Sequence, residues 1–216
     1  TVFSELDFIS VTFIDFFDAE QNAQYNTFRS QFPDSSVTFL GGLKGHQKAL
    51  YTVSGADMAE GYLLHDTIEN KIIQIASSYP NIKPQDIGEI QTINYKSRDG
   101  LTIPALLTWP TYAKTNEQRK NLPLIALPHG GPEAHDSLRF DWWAQYLANK
   151  GYLVLQPNFR GSTGFGREFT EAGSGKWGKE MQHDISDGVL TLIKSGFADK
   201  NRVCIMGASY GGYAAM

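Results

Sequence analysis

The sequence has one cysteine, little net charge and no long apolar run, and each of these narrows the classes of protein to consider. Cys204 is the single cysteine among 216 residues, so these residues offer no internal disulfide and no cysteine cluster for a metal. A formal charge of -4 gives no electrostatic reason to expect nucleic acid or an anionic membrane as a partner. No run of about 18 apolar residues is present, which argues against a transmembrane helix in this sequence.

The first residues of the sequence do not show the pattern of a leader peptide. Thr1 rather than methionine comes first, and no charged segment followed by an apolar segment comes after it. We therefore expect the sequence to start inside a longer protein. A cytoplasmic location is slightly favoured. A periplasmic or secreted location stays open, because secreted bacterial enzymes can also lack disulfides and the true N-terminus is not shown. The composition, 41% hydrophobic and 19% charged, is typical of a globular protein.

The most informative motif lies near the end of the sequence. An apolar run at residues 203–206 leads into Gly207-Ala-Ser-Tyr-Gly211, the G-x-S-x-G pattern of a nucleophile elbow. A sharp strand-to-helix turn leaves no room for side chains beside the serine, so glycines are needed there and the hydroxyl projects over the end of the sheet. The pattern predicts that Ser209 is a nucleophile and that the N–H of Tyr210 stabilises a developing oxyanion.

Two further glycine loops follow predicted strands. His129-Gly-Gly-Pro132 is suited to turning backbone N–H groups toward a reacting carbonyl oxygen, although a tight turn without catalytic meaning is the alternative. The loop at residues 158–166 raises a nucleotide-binding alternative. Its glycines are ordered G-x-x-G-x-G rather than G-x-G-x-x-G, and no acidic residue closes a following strand at the usual distance.

The chain changes character near residue 86. Before it, one polar stretch at 19–32 reads as helical, and the short apolar segments bounded by turn residues predict strands at 8–14, 37–40, 49–53, 62–65 and 71–76. This is typical of a β-meander blade, which cannot bury both of its faces alone, so we expect it to be the tail of a repeat. A linker at 79–84 and a hairpin at 93–107 follow.

Strands then alternate with helices. We predict strands at 122–127, 152–156 and 202–206, one helical face carrying Phe140, Trp143 and Leu147, and another carrying Met181, Ile185, Val189 and Leu192. Such alternation predicts a mainly parallel sheet with helices on both faces.

As a set, these motifs resemble the prolyl oligopeptidase family of serine peptidases, nearest its acylaminoacyl-peptidase and dipeptidyl-aminopeptidase-like branch. The resemblance spans roughly residues 91–216, and its motifs are at residues 129–132, 155–166, 177–178, 184–188 and 207–213. It implies a fold in which the C-terminal part of a β-propeller, residues 1–85, precedes the N-terminal part of an α/β-hydrolase catalytic domain, residues 86–216. That sheet is expected to be truncated after the nucleophile elbow.

The resemblance also assigns roles. It implies Ser209 as the nucleophile, the N–H groups of Tyr210 and Gly131 as the oxyanion hole, and His129 with Gly130 as support for the oxyanion loop. The family's triad Asp and His follow the serine, so we expect both outside this sequence and the 216-residue chain alone to be inactive. The implied partner is a short peptide; no metal or other cofactor and no nucleic acid are expected, and an oligomer is left open.

The remaining polar and aromatic residues are expected to be structural. All five histidines precede Ser209, so by chain order none is the general base, and no spacing among them suggests a zinc site. We expect surface or hydrogen-bonded side chains at His46, His65, His135 and His183, and, from the family likeness, helix-positioning roles for Asp184 and Asp187. Arg160 is expected to fix its own loop by an ion pair. The tryptophans Trp142, Trp143 and Trp177 are predicted in the core or at an interface, with a pocket as the alternative.

Two other functions stay open at this point. An esterase would use the same elbow and oxyanion hole, and only the blade-like first 85 residues favour peptides. A non-catalytic fragment or scaffold is the third interpretation.

Overall fold

The computed structural model describes residues 14–33, 35–43, 47–56 and 58–216. The strand predicted at 8–14 therefore falls almost wholly outside the described residues, as does His46. The described chain divides into two compact units, and the smaller comprises residues 14–87 and 138–141 while the larger comprises residues 88–137 and 142–216.

The smaller unit is one helix and a four-stranded antiparallel sheet in sequential strand order. Its elements are α1 (Ala19–Arg29), β1 (Ser35–Gly42), β2 (Lys48–Gly55), β3 (Gly61–Asp66) and β4 (Lys71–Ser77). The four strands predicted between residues 37 and 76 are confirmed. Helix α1 begins at the predicted residue because the Asp18 carboxylate accepts a hydrogen bond of 2.8 Å from the Gln21 N–H, a standard N-cap.

Aromatic packing joins α1 to this sheet. The Phe28 ring stacks on that of Tyr51 with 3.9 Å between the centroids, and the Tyr25 hydroxyl donates to the Val37 carbonyl at 3.0 Å. All four of these residues are at most 1% exposed. A helix that is polar overall is therefore held by two inward aromatic positions three residues apart.

His65 corrects one prediction. It was expected to be a surface or hydrogen-bonded side chain, yet it is 4% exposed and its ring lies 5.4 Å from that of Phe28. Among the described residues, its Nδ1 has no hydrogen-bond partner. Burial lowers the pKa of this histidine, which opposes the effect of the neighbouring Asp66 carboxylate. The period-2 pattern of strand β3 turns this polar residue inward together with Leu63.

The larger unit is a five-stranded sheet with helices. Its strands are β5 (Ile90–Lys96), β6 (Thr102–Thr108), β7 (Leu122–Ala126), β8 (Leu153–Pro157) and β9 (Ala198–Ile205). Its helices are α2 (Trp142–Asn149), α3 (Arg167–Glu171), α4 (Glu180–Lys194) and α5 (Tyr210–Ala215). A single 3-10 turn, Pro84–Asp86, precedes the unit. Phe140 lies before α2 rather than on its predicted face.

The order across this sheet is β5-β6-β8-β7-β9. Strand β7 runs parallel to both β8 and β9, whereas β6 is antiparallel to both β5 and β8. Strands β5, β7, β8 and β9 therefore run in one direction, so the described sheet is mainly parallel, as predicted, with the one antiparallel strand β6. Strand β6 is antiparallel because it is the second strand of the β5–β6 hairpin, which the sequence predicted, and it lies beside β8 in the opposite direction.

Strand β8 lies at the centre of the sheet and is buried on both faces. Leu153 and Leu155 pack in one cluster with Leu192 of α4, while Val154 packs in another with Leu147 of α2. A continuous apolar run of this kind is what a strand between two helical layers requires. None of the helices within the described ranges is both long and apolar enough to cross a bilayer.

Candidate active site

Ser209 occupies a strained turn between β9 and α5. Its backbone has φ 55° and ψ -125°, and helix α5 begins at the next residue. The other non-glycine residues with positive φ in the described chain are two asparagines, which tolerate that region far better than serine does. The Ser209 side chain is exposed. A strained, exposed serine at a strand-to-helix turn is the geometry that directs a hydroxyl toward a substrate.

The glycines around Ser209 are required by close backbone contacts. A Cβ atom on Gly207 would lie 2.5 Å from the carbonyl carbon of Gly211, and one on Gly211 would lie 2.1 Å from the carbonyl oxygen of Pro128. Both distances are far below van der Waals contact. The elbow therefore packs backbone to backbone within itself, as the sequence pattern predicted, and also against Pro128 in the loop after β7.

The loop after β7 meets the elbow at Gly130. A Cβ atom on Gly130 would lie 3.4 Å from the Ser209 Cβ and 3.8 Å from its Oγ. Gly131 has φ +121°, and a Cβ there would lie 2.8 Å from the Glu133 nitrogen. The structure thus brings Gly130 and Ser209 together, with Gly131 and Tyr210 as the next residue on each loop. This adjacency arises because the two loops leave the carboxyl ends of neighbouring parallel strands.

The His129 ring is held by contacts with its own loop and with the loop at residues 158–166. Its ring stacks on Phe159 with 4.4 Å between the centroids. Its Nδ1 lies 2.7 Å from the Gly130 carbonyl oxygen and its Nε2 lies 2.8 Å from the Ser162 Oγ. Burial lowers the pKa of this imidazole to about 4, against the opposing effect of the Gly130 hydrogen bond, so the ring is neutral at pH 7. Both nitrogens are engaged, and neither is available as a general base for Ser209.

The loop at residues 158–166 is fixed by a buried ion pair. The Arg160 guanidinium donates to both oxygens of Asp184 at 2.8 Å, and the Arg160 backbone N–H donates to Asp184 at 3.0 Å. Arg160 is 6% exposed and Asp184 is fully buried. The same guanidinium lies 2.7 Å from Asp99, and its hydrogen bond is the main reason why the pKa of Asp99 falls to about 2. The predicted ion-pair role of Arg160 is confirmed.

Helix α4 makes a second such contact one turn further along. The Asp187 carboxylate accepts hydrogen bonds from the Arg98 side chain, from the Arg98 N–H at 2.7 Å and from the Ser97 hydroxyl at 3.2 Å. These contacts tie α4 to the turn of the β5–β6 hairpin. Asp184 and Asp187 therefore act structurally, as expected, and lie on one side of the helix.

Aromatic side chains anchor the start of α5. The Tyr210 ring is buried and lies 5.2 Å from that of Phe159 and 5.0 Å from that of Trp177. Burial is the main cause that raises the pKa of the Tyr210 hydroxyl to about 12. Phe159, which the motif analysis did not single out, contacts the rings of both His129 and Tyr210 and so supports both loops at once.

An open cleft of about 640 Å³ adjoins the glycine loop. Its lining residues are Gly131, Pro132, Glu133, Gly161, Thr170, Glu171, Gly173, Ser174, Gly175, Trp177 and Met181. Trp177 is 52% exposed and lines this cleft, so the pocket alternative holds for this tryptophan rather than the core. Trp142, at 58% exposed, is a surface residue whose ring stacks on Trp143.

The other histidines do not approach Ser209 through any described contact. His135 Nδ1 lies 3.2 Å from the Thr163 Oγ1, and His183 is half-buried on α4. Over the part of the chain that is described, no three His, Cys, Asp or Glu side chains cluster in a way that would hold a metal ion.

Comparisons with known proteins agree with this geometry. Residues 138–216 match the sequence pattern of the prolyl oligopeptidase family, peptidase family S9. Among curated proteins, the chain is 39% identical to dipeptidyl aminopeptidase BIII of Pseudoxanthomonas mexicana over 166 residues, 76% of this chain and 24% of that protein. It is 34% identical to the acylamino-acid-releasing enzyme of Arabidopsis thaliana over 115 residues, 53% of this chain and 15% of that enzyme.

A solved structure shares the fold. The crystal structure of puromycin hydrolase superposes with a TM-score of 0.68 at 26% identity, covering 83% of this chain and 27% of that one. The chain thus spans about a quarter of the length of dipeptidyl aminopeptidase BIII and of puromycin hydrolase.

Proposed function

Residues 138–216 of this chain belong to the prolyl oligopeptidase family, and we propose on that basis that the protein is a serine peptidase that cleaves short peptides through Ser209. The observation that carries the proposal is the strained backbone of Ser209, φ 55°, with Gly130 so near that a Cβ atom added there would lie 3.4 Å from the Ser209 Cβ. The matched relatives named dipeptidyl aminopeptidase and acylamino-acid-releasing enzyme support a peptide rather than an ester substrate.

The proposed reaction is acyl transfer. The Ser209 hydroxyl attacks the peptide carbonyl, the N–H groups of Gly131 and Tyr210 hold the resulting oxyanion, and a histidine takes the serine proton. His129 does not take this role because both of its ring nitrogens are engaged elsewhere. We infer that the general base and its orienting aspartate come from residues outside these 216, and that residues 1–216 alone do not turn over substrate.

The domain arrangement belongs to the same proposal. We infer that residues 1–85 end a β-propeller and that residues 86–216 begin an α/β-hydrolase catalytic domain. In support, the first segment contains four antiparallel strands in meander order. Its last strand, β4, leaves Ile73 and Ile75 exposed at 39% and 55%, as expected of a blade that packs against further blades.

Substitution of the serine tests the proposal. In the full-length protein, Ser209→Ala should lower the turnover of an aminoacyl nitroanilide by about 10⁴- to 10⁶-fold, because the nucleophile is lost. The melting temperature should change little, since the side chain is exposed. A fluorophosphonate probe should label the wild type and not Ser209→Ala. The matched control is Ser186→Ala, whose hydroxyl donates to the Gln182 carbonyl within α4 and should leave labelling unchanged.

Three outcomes would contradict this function. Turnover above a tenth of wild type in Ser209→Ala would exclude Ser209 as the nucleophile. Hydrolysis of an acyl ester without measurable hydrolysis of any aminoacyl nitroanilide would favour the esterase. A full-length protein that neither reacts with the probe nor hydrolyses either substrate would be a scaffold.

A further inference from the structure

We propose that Ser162 is a positioning residue: through His129 it fixes the peptide group between Gly130 and Gly131, and with it the oxyanion donor. The inference rests on the proposed function, which assigns the Gly131 N–H to the oxyanion. It concerns a residue 47 positions before Ser209, in the loop at residues 158–166.

The first step is the planarity of one peptide. The carbonyl oxygen of Gly130 and the N–H of Gly131 belong to the same rigid peptide unit, so a change in the direction of one moves the other. The His129 Nδ1 lies 2.7 Å from that carbonyl oxygen. A hydrogen bond there resists rotation of the peptide, which would otherwise be soft because it lies between two glycines. His129 therefore sets the direction of the N–H through the opposite end of the unit.

The second step is the tautomer of His129. A neutral imidazole has one N–H, and the bond to the Gly130 carbonyl requires that proton on Nδ1. The other tautomer would place the Nδ1 lone pair 2.7 Å from a carbonyl oxygen, a repulsive contact. With the proton on Nδ1, Nε2 is an acceptor and needs a donor. The Ser162 hydroxyl, 2.8 Å from Nε2, can supply it.

The third step is the competition for the Ser162 proton. Its Oγ also lies 2.6 Å from the Phe159 carbonyl oxygen, and a hydroxyl has only one proton to donate. The Phe159 carbonyl already accepts the Ser162 backbone N–H at 3.0 Å. Donation to His129 gives Nε2 its donor and leaves the Phe159 carbonyl with the Ser162 N–H, at the cost of a 2.6 Å contact between two oxygens. Donation to Phe159 instead leaves Nε2 without a donor while Nδ1 carries the ring proton.

The fourth step is the rigidity of Ser162. The residue is fully buried, and its carbonyl accepts a hydrogen bond of 3.0 Å from the Thr170 hydroxyl. Two residues earlier, the Arg160–Asp184 ion pair fixes the same loop to α4. The hydroxyl is thus presented from a rigid point, which is what a positioning residue needs if it is to hold a ring in one orientation.

The test compares two hydroxyls on neighbouring residues of the full-length protein. Ser162→Ala should lower kcat for the aminoacyl nitroanilide about 10- to 100-fold, less than the roughly 10²- to 10³-fold cost of losing a whole oxyanion donor. KM should change less than about threefold, because the group acts in the transition state. The control is Thr163→Val, which removes a hydroxyl that contacts His135 instead of His129 and should keep kcat within about twofold.

A double-mutant cycle tests the route through His129. If Ser162 acts only through that ring, Ser162→Ala combined with His129→Asn should lose no more kcat than His129→Asn alone. Multiplying effects would overturn the inference, and so would a wild-type kcat in Ser162→Ala. Should Ser162→Ala fail to fold, Ser162→Cys keeps nearly the same shape with a weaker donor, and wild-type kcat in that variant would overturn the inference too.

The same experiment separates this inference from the proposed function. If Ser209→Ala is inactive while Ser162→Ala turns over like wild type, the peptidase assignment stands and the positioning role is wrong. If Ser209→Ala keeps its turnover, both are wrong.

Discussion

Single glycines near Ser209 differ in what a methyl group would contact. At Gly211 the added carbon would lie 2.1 Å from a backbone oxygen, a contact that only a backbone shift relieves. At Gly130 it would lie 3.4 Å from Ser209 Cβ, ordinary contact, and that residue needs no positive φ. Gly131 falls between them, because its φ of +121° strains any side chain. Substitutions at Gly130 and Gly211 can therefore separate an effect on activity from an effect on folding.

We predict that Gly130→Ala and Gly211→Ala have different effects. Gly130→Ala should melt within a few degrees of wild type, yet lower kcat/KM because its methyl group fills the space beside the Ser209 Oγ, 3.8 Å away. Gly211→Ala should lose at least about 3 kcal/mol of unfolding free energy, since its methyl group would overlap the backbone of Pro128. Urea unfolding and steady-state kinetics on the same preparations give both values. Equal losses of stability in the two variants would contradict the distinction.

Helix α4 joins the loop at residues 158–166 to the β5–β6 hairpin and to β8. One face packs on β8 through Leu192, and its acidic side binds Arg160 in the loop and Arg98 in the hairpin turn. The helix thus fixes the segment that carries Ser162 relative to the β5–β6 hairpin. The carboxylates involved also make the stability of this arrangement depend on pH.

We predict that Asp187 contributes stability that acid removes. Hydrogen bonds from Arg98 are the main cause that lowers the pKa of Asp187 in the folded protein. The unfolded state therefore binds a proton first: the contribution is complete above a pH of about 4 and is lost as the pH falls through the lower folded value. Because Arg98 is half exposed, Asp187→Asn should cost only about 1–2 kcal/mol at pH 7.

The measurement is the urea midpoint between pH 7 and pH 2 in wild type and Asp187→Asn. The variant should show the weaker acid dependence, so that the two curves converge at low pH. Glu171→Gln is the control, because both side chains of the Arg167–Glu171 ion pair are exposed and the pair should contribute almost nothing to stability. Parallel curves for wild type and Asp187→Asn would show that this carboxylate is not the source.

For the molecule as a whole, the unpaired edge of β9 is the feature that matters most for association with other chains. Among the described strands, β9 pairs with β7 alone, and its Val203 is 38% exposed next to an exposed Cys204. An apolar strand with one unpaired side is a template for association with another chain. The same strand leads directly into the turn that carries Ser209, so we expect association at this edge to affect activity as well as solubility.

We predict that residues 1–216, produced alone, self-associate and do not react with a fluorophosphonate probe. Val203→Lys should reduce the association, because a charged side chain at a sheet edge disfavours strand addition. Leu190→Lys is the control: it replaces a comparably exposed apolar residue, on α4 rather than at the edge, and should leave the association unchanged. Size-exclusion chromatography with light scattering gives the oligomeric state. A soluble monomer that reacts at Ser209 would contradict this prediction and the inferred origin of the catalytic base.

Local patterns were sufficient for the elements and for the elbow. The strands of the smaller unit and the buried strand at β8 follow from apolar period and turn residues, both of which act within a few positions. Gly207 belongs to the same class, since the contact that excludes a side chain there is with a residue four positions away, whereas the corresponding contact at Gly211 is with Pro128 in a distant loop. The sequence by itself therefore determined where the strained serine would lie.

Only the tertiary structure decided which distant groups meet. His129 and Ser162 are 33 residues apart, and Arg160 binds Asp184 and Asp99 from different elements. Neither pairing leaves a periodic signal in the sequence. The burial of His65 and the antiparallel place of β6 beside β8 likewise depend on how elements pack. Packing of this kind is set by the sum of many weak contacts across the sheet, so local sequence predicts the parts of this candidate site and the fold alone determines their arrangement.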